Sequence, residues 1–63
     1  MKPCILYQNG DYWVTFAAKG YEVYQNHLSH SVRCAVIGYP GAKGLSRAIL
    51  ECDKRTALKN DSH

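Results

Sequence analysis

Apolar and polar side chains alternate through the first half of the chain, and the alternation is broken at turn-forming residues. Ile5-Leu6-Tyr7-Gln8 and Asp11-Tyr12-Trp13-Val14-Thr15-Phe16 flank Asn9-Gly10. Asn-Gly accepts positive φ at both central positions of a type I′ turn, so this pattern predicts a β-hairpin. Counting outward from the turn pairs Tyr7 with Tyr12 and Ile5 with Val14 on one face, and Leu6 with Trp13 and Cys4 with Thr15 on the other. After Ala17-Ala18-Lys19-Gly20, the run Tyr21-Glu22-Val23-Tyr24-Gln25 alternates again and predicts a third strand. With Lys19-Gly20 as the loop, Phe16 faces Val23 and Thr15 faces Tyr24. A polar connection over residues 26–30 leads to a fourth strand over residues 31–37, where Val32, Cys34 and Val36 alternate with Arg33, Ala35 and Ile37. Gly38-Tyr39-Pro40-Gly41 ends it, because proline cannot donate to a ladder and glycine frees the backbone to turn.

From about Ala42 the period lengthens. Ala42, Leu45, Ala48, Ile49 and Cys52 share one helical face, with Lys43, Arg47 and Lys54 on the opposite one, which predicts an amphipathic helix. Gly44 weakens its first turn, so the start can slip to Leu45. Glu51 stands four residues from both Arg47 and Arg55, a spacing that supports a helix surface. The fold class is therefore α+β: a small antiparallel meander of four strands, or of three, with one C-terminal helix on one face. Residues 1–58 form a single domain and residues 59–63 a frayed polar tail. The covered face holds Ile5, Tyr7, Tyr12, Val14, Phe16, Val23, Val32, Cys34 and Val36. The open face displays Leu6, Trp13, Thr15, Glu22, Tyr24 and Arg33.

Sixty-three residues bound what such a fold can do. A chain this short buries only about 60% of the surface its unfolded form exposes, which favours self-pairing into a homodimer. The apolar edge strand over residues 32–37 is the expected seam. Apolar residues at 46% and charged residues at 21% exclude disorder, and a net charge of +3 mildly favours acidic partners. Cys4, Cys34 and Cys52 follow no disulfide spacing, and no charged-then-apolar leader opens the chain, so a cytoplasmic setting is expected. The longest apolar run, Cys34-Ala35-Val36-Ile37, falls far short of the roughly 20 residues of a membrane span.

No motif carries chemistry. Gly38 to Gly44 precede a helix, but Lys43 comes before Gly44 with Leu45 next, whereas a phosphate-binding loop needs Gly-Lys followed by Ser or Thr. His27-x-x-His30-x-x-x-Cys34, with Cys4 or Cys52 as a fourth ligand, lacks a paired-cysteine knuckle, so neither metal nor cofactor is expected. Ser29, Ser31 or Ser46 with a histidine and Asp11 or Asp53 form a triad by inventory only, since mutual geometry defines one. A sheet and one helix also leave little room for a substrate pocket, and the chain reads as a non-enzyme. What remains is the open face. Trp, Tyr and Arg are enriched at interface hot spots, so Trp13, Tyr24, Arg33 and Leu6 are the candidate partner-binding residues. The same aromatics can stack bases, and Lys43, Arg47 and Lys54 can meet phosphates, which makes nucleic acid the alternative partner.

In its segments Gly20-Tyr-Glu-Val-Tyr24, His30-Ser-Val-Arg-Cys-Ala-Val-Ile-Gly38 and Gly44-Leu-Ser-Arg-Ala-Ile-Leu-Glu-Cys-Asp-Lys-Arg55, about half its length, the chain resembles short accessory proteins of phages and prophages, including anti-defence inhibitors that pair a small antiparallel sheet with one helix. That resemblance implies a non-catalytic protein that binds a host protein, often as a dimer. The topology is also similar to the arm-binding domains of phage integrases and to plant AP2-type domains, which read DNA with a sheet rich in Arg and Lys. Here Arg33 is the one basic residue within an expected strand, and Glu22 opposes phosphate contact.

Overall fold

The computed structural model describes the backbone of residues 4–61 and the side chains as far as Lys59. Strands β1 (Tyr7–Asn9), β2 (Tyr12–Ala17), β3 (Gly20–Asn26) and β4 (Ser31–Ile37) form one antiparallel sheet in chain order, followed by helix α1 (Gly41–Asp61). The expected α+β meander with one C-terminal helix is the observed architecture.

Both hairpin registers differ from expectation by two residues. Tyr7 pairs with Val14 and Asn9 with Tyr12, which leaves Gly10-Asp11 as the connecting pair. Among the described residues positive φ occurs only at glycine, with Gly10 at 63°, so Asn9 does not enter the turn. A glycine at the first central position followed by an ordinary residue fits the type II′ pattern rather than the I′ pattern. The cause lies across the sheet: the Asn9 amide donates to Asp53 (2.7 Å) and its carbonyl accepts from Thr56 (2.8 Å), which holds Asn9 in the strand. In the second hairpin Phe16 pairs with Tyr21 and Thr15 with Glu22, and Ala18-Lys19 turn the chain. A slide of two keeps every side chain on its face, whereas a slide of one would have inverted the sheet.

In β4 the alternation itself is interrupted. Val23 pairs with Ala35 but Tyr24 pairs with Arg33, so Cys34 is an extra residue in a β-bulge. The bulge sends Ala35 and Ile37 toward the helix side, where they pack against the core, and turns Val36 to the opposite face. The expectation that Val32, Cys34 and Val36 are all covered is thereby corrected. Val36 and Val32 are exposed, whereas Cys34 is half-buried and packs against the core as expected. Two further members of that set are uncovered: Ile5 precedes β1, and Phe16, 61% exposed, stacks on Tyr21 at the hairpin end (5.9 Å between centroids). Beside Phe16 an open cleft of about 520 Å³ runs to Gly38, Pro40 and Gly41, so the helix start does not cover that corner.

The core is Tyr12, Val14, Tyr21 and Val23 from the two central strands against Ala48 and Cys52 of α1. Val14, Val23 and Cys52 are fully buried, and each such valine contributes about 1.5–3 kcal/mol. Burial also holds the Cys52 thiol above its ordinary pKa, since the thiolate would lose its solvation. Leu45 packs against this cluster as expected, while Ala42 is exposed.

Both ends of α1 are fastened. At its start the Tyr21 hydroxyl donates to the Gly41 carbonyl (3.0 Å). Gly44 is buried so close to the preceding loop that a Cβ there would lie 1.6 Å from the Tyr39 carbonyl oxygen. At the other end three residues at i, i+3 and i+6 grip the first hairpin. Asp53 accepts from the Tyr7 hydroxyl (2.6 Å) and the Asn9 amide (2.7 Å) through one oxygen. The Thr56 hydroxyl is shared between the Asn9 carbonyl (2.8 Å) and the Cys52 carbonyl (3.0 Å), and Lys59 pairs with Asp11. The pairing holds the Asp11 carboxyl below its usual range and raises the Lys59 ammonium. Lys59 is thus part of a helix that runs to Asp61, a correction to the tail expected from residue 59. Ser62 and His63 of that tail, and Met1 to Pro3 of the expected domain, lie outside the described residues.

Gly44→Ala therefore sets propensity against packing. Alanine favours a helix by about 1 kcal/mol, but overpacking against backbone costs about 1–3 kcal/mol, so the net expectation is destabilisation in urea unfolding. A raised midpoint would contradict the tight approach.

The bonds from Tyr7 and Asn9 keep the Asp53 carboxyl below its ordinary pKa. A free aspartate titrates near about 3.9, so this contribution is complete above that pH and is lost as pH falls through the lower folded value. Wild type and Asp53→Asn are expected to differ in stability at neutral pH and to converge in acid. A difference that stays constant through that range contradicts the assignment.

Candidate binding face of the sheet

With α1 on the side of Tyr12, Val14 and Val23, the residues that alternate with them form the far face. One cross-strand row runs Gln8, Trp13, Tyr24, Arg33, and the next holds Thr15, Glu22 and Val36. Trp13, Tyr24 and Arg33 are brought together as expected. Their state is different, because Trp13 is only 5% exposed despite facing away from the helix. Tyr24 stacks on the indole (4.6 Å between centroids, 13° between planes), and the Trp13 Nε1 proton goes to the Asn26 side-chain oxygen at 2.8 Å. Ser31 donates to the same oxygen at 2.7 Å.

Leu6 does not join this row. Its backbone N–H reaches the Val14 carbonyl (2.8 Å), although Val14 pairs with Tyr7, and the half-buried side chain packs against the helix-side core. The irregular start of β1 is what removes it from the open face.

The far face forms a shallow hollow of about 290 Å³ lined by Trp13, Thr15, Tyr24 and Ser31. Its polar groups are spent internally: the Thr15 hydroxyl donates to the Cys4 carbonyl (2.8 Å) and the Tyr24 hydroxyl to Glu22 (2.9 Å). The hollow is therefore lined by the stacked aromatic rings and by hydroxyls that donate within the chain. At its edge Arg33 is exposed and bonds Glu22 at 3.1 Å. Arg33 is exposed and Glu22 half-buried, so solvent screens the pair and it adds little to the stability of the fold. The bond to Glu22, followed by burial, raises the Tyr24 phenol above its ordinary pKa, so this hydroxyl stays protonated through neutral pH.

Lys43, Arg47 and Lys54 are exposed on α1, with Arg47 lying 5.2 Å from the centre of the Tyr39 ring. Because α1 lies on one side of the sheet and the Tyr24 row on the other, these cations and the far face do not form one surface. Arg47 takes Tyr39 as its neighbour, and Glu51 bonds Arg55 at 2.9 Å.

The remaining sequence candidates are placed as follows. His27 and His30 stack on each other in the exposed β3–β4 turn (5.1 Å), while Cys34 sits on the bulge with its thiol toward the Val32 carbonyl (3.5 Å). Among the described residues no three His, Cys, Asp or Glu side chains converge as a metal site. No described helix is long and apolar enough to cross a membrane. The residues that sequence reasoning missed are the fastening set Tyr7, Asn9, Asp53 and Thr56, and Asn26, which organises Trp13 and Ser31. Polar residues at i and i+3 beside the helix's apolar face were the available signal for Asp53 and Thr56. Comparison with known proteins finds no matching family, no similar curated protein and no similar solved structure.

Proposed function

We propose that this chain is a non-catalytic binding protein of the mobile-element type that acts on a host protein in the cytoplasm. The partner is engaged through the far face of the sheet, and a second copy pairs along β4. The observation that supports this most is the hollow over the stacked Trp13 and Tyr24 rings, which suits one apolar or aromatic side chain of a partner. Buried, rigid aromatic seats edged by an exposed arginine are the usual anatomy of a protein-binding hot spot. In this reading Trp13 is the floor, Tyr24 the wall and Arg33 the orienting charge, with Val36 continuing the surface. Leu6 is left out, being packed on the other side.

The absence of free polar groups in the hollow favours binding over catalysis, since the hydroxyls and the indole N–H that line it are already bonded. Self-pairing is supported by the position of β4 at the sheet edge, seven residues long, without proline and with exposed Val32 and Val36. Nucleic acid is the second reading, favoured by the cationic stripe of Lys43, Arg47 and Lys54 on α1 and disfavoured on the sheet by the Glu22 carboxylate beside Arg33.

A tagged pull-down from bacterial lysate, with and without nuclease, tests the two readings against each other. A protein retained in near-equal amount after nuclease, and lost with Tyr24→Ala plus Arg33→Ala in a folded variant, is the expected result. Nucleic acid recovered alone and released by moderate salt would overturn it, since several phosphate contacts weaken by orders of magnitude between about 50 and 200 mM. Sedimentation is expected to show a dimer at high micromolar concentration, and a monomer throughout would remove the β4 pairing.

A further inference from the structure

The outward side of α1 carries a second pattern that neither the core nor the sheet face uses. In a helix each residue turns by about 100°, which places Lys43, Arg47, Leu50, Lys54 and Leu58 within one stripe about 80° wide. Leu50 is 67% exposed and Leu58 58% exposed, where a helix packed on one side normally shows polar residues. They stand eight residues apart, about 12 Å along the axis. Tyr39, 58% exposed beneath Arg47, extends the apolar surface at the helix start. Between Lys43 and Leu58 the stripe contains three cations and no carboxylate. Among the described side chains the nearest carboxylates are engaged elsewhere, Glu51 with Arg55 at 2.9 Å and Asp53 with Tyr7 and Asn9.

We infer that this outer helix face is a docking surface for an acidic amphipathic helix of a protein partner. Two leucines a little over two turns apart match the i to i+7 spacing, about 10.5 Å, with which an amphipathic helix presents its own apolar anchors. The three cations around them complement carboxylates flanking those anchors, and that complementarity selects the partner and speeds encounter. A second copy of this chain is excluded as occupant by the same charges, which would be brought face to face. Duplex nucleic acid would meet two exposed leucines between its phosphates and the cations. An anionic membrane would gain little insertion from two leucines separated by Lys54, since interfacial binding scales with the apolar area buried. This surface is independent of the one proposed above, being on the opposite side of the sheet.

The test uses the full chain and a labelled synthetic helical peptide with leucines at i, i+4 and i+7 and glutamates at the flanking positions. A peptide with lysines in place of the glutamates, a short DNA duplex and phosphatidylglycerol vesicles serve as the other probes. Saturable binding of the acidic peptide alone is expected, weakened about tenfold or more by Leu50→Gln with Leu58→Gln, which removes the two anchors. Arg47→Glu with Lys54→Glu is expected to weaken it comparably, and Tyr24→Ala to leave it unchanged. Circular dichroism confirms that these surface variants keep their fold. No binding of the acidic peptide up to about millimolar, the weak limit of specific association, overturns the proposal. Equal binding by the helix variants overturns it too, as does DNA or vesicle binding that the same variants abolish.

Discussion

The fastening of α1 to the first hairpin is the constraint on which the rest of the molecule depends. A chain of 63 residues has a small core, here four strand residues and two helix residues that are buried together. Area alone leaves such a helix free to slide or rotate on an apolar face, because hydrophobic burial is non-directional. Directional bonds remove that freedom. Asp53 draws the Tyr7 hydroxyl and the Asn9 amide to a single oxygen, Thr56 reaches the Asn9 carbonyl, and Lys59 meets Asp11 in the turn itself. Gly10 belongs to the same contact, since a Cβ on it would stand 3.2 Å from the Thr56 methyl. At the opposite end, the close approach of Gly44 to the Tyr39 carbonyl sets the height of the helix above the sheet.

Once α1 occupies one side, the character of the other follows from alternation. Trp13 and Tyr24 fall on the far face because Tyr12, Val14 and Val23 are claimed by the helix. They do not stand free in solvent. The indole is buried by stacking and held by Asn26, so the face presents a shaped seat rather than a loose aromatic cluster. The Glu22 carboxylate serves both Tyr24 and Arg33, which ties the wall of that seat to its charged edge. The outer side of α1 is different in kind, with exposed Leu50 and Leu58 among Lys43, Arg47 and Lys54.

Much of this was legible in the amino-acid pattern. The four strands, the single helix and the face of each residue in β2 and β3 are written in period-two and period-3.6 repeats. Residues 31–37 were bounded as the fourth strand, and the observed β4 has the same limits. The hairpin registers were not legible, because Asn9 has the composition of a turn residue and its role as a strand residue is fixed by Asp53, 44 positions away. The bulge at Cys34 was equally hidden. Alternation through Val32, Cys34 and Val36 looked regular, and only the pairing with β3 shows that it breaks after Arg33. For the binding face, the grouping of Trp13, Tyr24 and Arg33 followed from strand parity, while the burial of Trp13 and the diversion of Leu6 depended on tertiary contacts that no local pattern encodes.

The claim that the helix is locked to the first hairpin through Asp53 is tested most directly by a double-mutant cycle joining Tyr7→Phe and Asp53→Asn, read by urea unfolding at neutral pH. Residues that interact give non-additive changes, so the double variant is expected to lose clearly less stability than the two single losses summed. Strict additivity would mean that Tyr7 and Asp53 do not meet in solution, and the register and helix placement built on that contact would fall with it.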